Sequence, residues 1–152
     1  MSQIEVTILI VHVASTLFMT GLIWFVQVVH YPLKALVGPQ HFIGYQSAHV
    51  ERTGWVVILP MLVEAVSALW LVWNPPPSGH TVLLWVGLLV LVKVWAVTAL
   101  YSVKGHQQLS AGFDAGAHRM LVSTNWMRTF GWSLRSMLVV YYAVTVLRGS
   151  GS

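Results

Sequence analysis

Apolar residues run along this chain in long blocks and do not alternate with polar ones. Ile4 to Tyr31, Thr53 to Trp73 and Thr81 to Tyr101 form three plain stretches, and a fourth, Leu121 to Leu147, is interrupted by Arg128 and Arg135. Each block meets or exceeds the roughly 20 residues that cross about 30 Å of hydrocarbon. Within lipid a segment must satisfy its own backbone polar groups, which selects helices over open strands. The pattern therefore predicts an all-α integral membrane protein, an antiparallel bundle of four transmembrane helices. A single domain over residues 4–148 would hold spans at about 4–31, 53–73, 81–104 and 119–147.

Composition agrees. The chain is 57% hydrophobic and 8% charged, against about 25% charged in soluble domains, and its mean hydropathy is +0.73. Cysteine is absent, so disulfides and thiolate ligands are excluded. The net charge of +4 includes no basic tract, which argues against a nucleic-acid partner and leaves the lipid bilayer as the first one. The first block lacks a basic leader and carries Glu5, so it reads as a span and not a cleavable signal. Gly149-Ser150-Gly151-Ser152 reads as a linker remnant outside the domain.

Charge sets the expected orientation. Lys34 and Arg52 bracket the first loop, Lys104 and Arg119 the third, whereas the second loop, Asn74 to His80, has no Lys or Arg. The positive-inside rule then puts loops one and three in the cytoplasm and both termini outside, in a multi-pass inner-membrane protein. The triple proline in loop two predicts a stiff, short turn. Gly38-Pro39 reads as a helix start, from which His41, Tyr45, His49 and Arg52 share one face.

Polar residues inside this apolar frame are the candidates for chemistry. His30 closes the first span, His49 opens the second, His106 follows the third and His118 opens the fourth. One imidazole per helix at similar depth suits a transition metal, iron or copper ahead of zinc. The alternative is that these histidines sit at headgroup level and bond water, phosphate or backbone.

Glu64, Lys93 and Arg135 fall near the middles of their spans, and such charges usually mark function. Glu64 lies eleven residues past Thr53 and Lys93 eleven before Lys104, each about 16 Å from the inner face at about 1.5 Å per residue. All three are expected to face the interior. His118, Asn125, Arg128, Trp132 and Arg135 share one face of the fourth helix. Surplus positive charge there calls for an anionic ligand, or else for a structural Glu64–Arg135 bridge beside a wet cavity. Gln27, three residues before His30, points into the same space. Gly131, Ser133 and Ser136 are small residues of the kind that favour contact with a second copy.

Two resemblances follow from short motifs. His12-Val13-Ala14, Met19-Thr20-Gly21-Leu22-Ile23-Trp24-Phe25 and Lys93 resemble the HemJ-type protoporphyrinogen oxidases, four-helix haem-associated membrane proteins. That likeness implies His12 as a haem ligand and Lys93 as a functional base. Gly105-His106-Gln107-Gln108-Leu109 with Thr124-Asn125-Trp126-Met127-Arg128-Thr129 resembles the anthrone-oxygenase-like four-helix membrane proteins. That likeness implies oxidation of a flat aromatic substrate with His106, Asn125 and Arg128 in the site.

The resulting expectation is a metal-dependent membrane oxidoreductase acting from the cytoplasmic side. His30, His49, His106 and His118 would be metal ligands. Glu64, Lys93 and Asn125 would be catalytic, and Arg128, Arg135, Trp132 and Gln27 would bind a lipophilic anionic or quinone-like substrate. Two other classes fit the same residues: an electron carrier holding haem b between histidines, and a proton-coupled transporter or channel working through Glu64, Lys93 and Arg135.

Overall fold

The computed structural model describes residues 1–76 and 80–149, and every regular element there is a helix. Four helices, α1 (Gln3–Lys34), α2 (Pro39–Trp73), α3 (Thr81–Leu109) and α4 (Ala115–Gly149), are each long and apolar enough to cross a membrane. Pro77, Ser78 and Gly79 of the proline turn, and Ser150 to Ser152 of the terminal linker, lie outside the described residues.

Local chemistry fixes the helix ends. Ser2 caps α1: its Oγ accepts the Glu5 amide at 3.2 Å while the Glu5 carboxylate accepts the Ser2 amide at 2.7 Å. Gly38 is extended and Pro39 starts α2, as the sequence pattern predicts. The helix then runs unbroken through His49 to Trp73, so the first loop shrinks to Ala35–Gly38 and Arg52 lies within the helix. The third loop shrinks likewise, which leaves His106 inside α3. Gly112 makes that turn with a φ of +140°, open only to glycine at low cost. Asp114 then caps α4, its Oδ1 accepting the Ala117 amide at 2.6 Å.

Around the bundle, α1 packs on α2 and α4, and α3 packs on α4; the α2–α3 seam is less extensive. Lipid tails are as apolar as leucine, so helices associate in a membrane through close fit and hydrogen bonds. Gly131 supplies close fit: a Cβ there would collide with Val94 Cγ2, so α3 and α4 meet backbone to side chain. Thr20 Oγ1 donates to the Trp132 carbonyl at 3.1 Å and lies 2.6 Å from Ser136 Oγ, and Trp24 Nε1 donates to Ser133 Oγ at 3.0 Å. Gly131, Ser133 and Ser136 thus serve seams within one chain.

Three apolar layers stack along the axis. Leu9, Leu71, Leu84 and Tyr142 pack at the end near the termini, and Met19, Ile23, Val94 and Trp132 in the middle. Tyr31, Phe42, Leu109 and Leu121 pack at the end formed by loops one and three. Two helices depart from α geometry at this end. Val26–His30 in α1 and Thr98–Ser102 in α3 are π-helical turns. Pro32 accounts for the first, since it has no amide and its ring crowds the preceding turn. The Tyr31 amide reaches back to the Val26 carbonyl instead. We find no comparable local cause for the second.

Candidate functional site

The π turns flank a cavity of about 360 Å³ between α1, α2 and α3, with Arg128 of α4 in its wall. Its apolar part is formed by Met19, Leu22, Ile23, Val26 and Val57. Its polar part is Tyr31, His49, Ser102, His106 and Arg128, and no carboxylate lines it. Val50, Val103, Gln107 and Ser110 line it and are also exposed, so it opens along the α2–α3 seam.

A hydrogen-bonded chain holds Arg128 in place. Gln27 Nε2 donates to the Val122 carbonyl at 3.4 Å, and Asn125 Nδ2 donates to Gln27 Oε1 at 2.8 Å. Arg128 Nη1 donates to Asn125 Oδ1 at 2.9 Å and to Ser102 Oγ at 3.2 Å. The guanidinium also lies 5.4 Å from the centre of the Trp132 ring. Its Nε is buried and has no partner. An orphaned charged donor of this kind costs energy unless a ligand meets it.

A second buried cation lies behind the cavity wall. Lys34, a loop charge by hydropathy, ends α1 with 0% exposure. Its Nζ donates to Gln46 Oε1 at 2.8 Å and lies near the Tyr31 and Tyr45 rings. Gln46 Nε2 donates to His106 Nδ1 at 3.2 Å and to the His106 carbonyl at 3.1 Å. His106 Nε2 is 3.2 Å from Tyr31 Oη, so both ring nitrogens are engaged. His49 Nδ1 is 3.0 Å from Thr53 Oγ1.

The histidines gather only in part. His30 and His49 stack with ring centres 4.4 Å apart, and His49 lies 5.1 Å from His106. His118 is elsewhere: its Nε2 is 2.8 Å from the Tyr31 carbonyl. That carbonyl is left over at the C-terminal turn of α1, because the Ala35 amide bonds to Pro32 and Leu33 instead. His118 is therefore a cap on α1, and the expected four-histidine set is not assembled. Among the described residues no group of three or more His, Asp or Glu side chains is placed to hold one metal ion. The face-to-face His30–His49 pair also leaves no room for a porphyrin between its rings. His30 Nε2 is buried without a partner, which keeps a two-histidine site chemically reasonable.

The remaining candidates form a separate network nearer the membrane centre. Glu64 and Arg135 both have 0% exposure and pair at 2.8 Å through Oε1 and Nε. Thr16 Oγ1 donates to Glu64 Oε1 and Trp132 Nε1 to Oε2, each at 3.0 Å. Arg135 Nη1 donates to the Gly87 carbonyl. Glu64, Trp132 and Arg135 thus bond to one another and do not line the cavity beside Arg128. The structural bridge, weighed as an alternative, is what forms. Gln27 and Asn125 likewise stand behind Arg128 and do not line the cavity.

Lys93 is the plainest correction. It is exposed on the outer face of α3, because interior-facing positions nearby are taken by Leu91 and Val94. His12 turns inward, its Nδ1 2.8 Å from Ser67 Oγ, so His12 and Lys93 share no site. Residues that the sequence pattern passed over include Tyr31, Lys34, Gln46 and Ser102. Their spacing held a signal: Gln27, Tyr31 and Lys34 are four and three apart, and Ser102 and His106 four apart.

No protein-family model, curated protein or solved structure matches the chain. The site must therefore be read from its own geometry.

Proposed function

We propose that this chain is a membrane-embedded oxidoreductase that binds a flat, lipophilic, anionic or quinone-like molecule in the cavity beside Arg128. The carrying observation is a buried cation, Arg128, in the wall of an apolar cavity that no carboxylate lines, with buried Lys34 behind that wall through Gln46 and His106. Such a site selects a ligand with an oxygen-rich head and an apolar body. Arg128 Nε and Tyr31 Oη would bond the head oxygens, and His49 would accept a hydrogen bond from a hydroxyl of the head. Oxidising a hydroquinone to a quinone removes two electrons and two protons. Both protons leave to water past the exposed rim at Gln107 and Ser110. An acceptor of the iron, copper or dioxygen class would supply the redox chemistry by taking up the two electrons. The likeness to anthrone-oxygenase-like proteins implies His106, Asn125 and Arg128 as site residues; His106 and Arg128 line this cavity, and Asn125 holds Arg128. By the positive-inside rule it faces the cytoplasm.

The test is tryptophan quenching in detergent with two probes, a decyl-tailed benzoquinone and an acidic hydroxynaphthoquinone. Wild type should bind both and the acidic probe more tightly, and Arg128→Gln should weaken the acidic probe at least tenfold. Equal affinity in the variant would remove the proposal.

A second reading keeps a metal. The orphaned His30 Nε2 beside His49 favours iron or copper held by those two rings, with the substrate completing the shell. Stoichiometric metal in purified protein, lost in His30→Ala and kept in His118→Ala, is its expected signature. No metal after reconstitution would end it.

A further inference from the structure

The geometry points to a ligand that loads sideways from the bilayer, with its head at Arg128 and a long apolar tail left lying in the lipid through the α2–α3 seam. This rests on the binding role proposed above and adds a tail, a route and the residues that select for them.

Three observations carry it. The cavity holds about 360 Å³, near the lower end of the roughly 300–1,000 Å³ range of small-molecule sites. A ring-sized head fits there and a complete lipid does not, so the tail of any lipid ligand must leave. The cavity is open where the tail would leave: Val50 and Gly54 of α2 and Thr98 and Val103 of α3 line it and are exposed or half-buried. This rim also lies at the right depth. Trp55 and Tyr101, next to it on α2 and α3, are both exposed, as aromatic side chains are at the lipid–water boundary. From there the outer surface of α2 toward the centre is wholly apolar at Val56, Ile58, Leu59 and Leu62.

Gly54 is the narrowest chemistry on this route. A Cβ added there meets only Ile58 Cδ1 at 3.8 Å, an ordinary contact, so a larger side chain would fill the opening without displacing backbone. Val103 of α3 lines the same opening. The head still has a second path, past Gln107 and Ser110 at the water-facing end.

The experiment uses the full chain in phosphatidylcholine vesicles, with two benzoquinones that share a head. One carries a polyisoprenoid tail of ten units and the other none. Gly54→Phe and, separately, Val103→Phe should each weaken the long-tailed probe at least tenfold and change the tailless probe less than twofold. Equal loss of both probes, or of neither, in both variants would overturn the lateral route while leaving the cavity as a binding site. Wild type that binds neither probe would overturn the proposed function, and the route with it.

Discussion

At the scale of single residues, the two mid-membrane lysine and arginine positions have opposite fates. Arg135 is fully buried against Glu64, with Trp132 and Thr16 completing the carboxylate. Removing one partner of such a pair leaves an uncompensated charge and costs about 3–5 kcal/mol. Glu64→Leu is therefore expected to lower the thermal midpoint in detergent sharply, and an unchanged midpoint would show that the pair is not structural. Lys93 faces outward, where a central lysine is disfavoured by roughly 2.5–3.5 kcal/mol on insertion scales. Lys93→Leu should insert at least as well as wild type and leave probe affinity within twofold. The cost of a central charge placed Glu64 and Arg135 correctly on inward faces, and Arg135 also continues a polar stripe on its helix. It failed for Lys93, whose own face, Leu89, Val92, Ala96 and Leu100, is apolar throughout and so reads equally as core or as lipid contact.

At the scale of helices, periodicity made the four spans legible and left their ends and turns obscure. Hydropathy sees where lipid ends, but α2 starts two turns or more before that and α3 runs beyond Lys104. The extensions bring His49 and His106 to the cavity's polar wall, so the site was legible as residue types and not as a shape. The π turns were not legible at all in α3. In α1 the sign was Pro32, and the turn it imposes re-aims Gln27, His30 and Tyr31 together; π turns often sit at functional sites. Pro32→Ala restores an amide and should relax α1 toward α geometry. The expected result is several-fold weaker probe binding with little change in thermal midpoint, and unchanged binding would separate the turn from the site. His118 belongs to this scale too. As a cap on the Tyr31 carbonyl, its loss in His118→Ala should cost about 1 kcal/mol and spare probe affinity, whereas a ligand-binding histidine would show the reverse.

At the scale of the whole molecule, the bundle is a cylinder with three closely packed seams and one looser one. Gly131 draws α3 onto α4 against Val94, and the Thr20, Trp24 and Ser136 contacts tie α1 to α4. The apolar layers at both ends keep the helices in register, and the polar network near the centre fixes their rotation. Between α2 and α3 the wall carries a gap that reaches the lipid. Mechanically this is a slit tube, and a slit tube responds to squeezing. Lateral pressure in a bilayer is borne by the walls, and the three tight seams have nowhere to yield. The slit does. Loading of a tailed probe should accordingly be slower in vesicles of saturated, tightly ordered chains than in those of fluid unsaturated chains. Equilibrium affinity for the tailless head in detergent has no such wall to push against. The membrane around this chain would then be more than its solvent: its packing would set how fast the cavity fills.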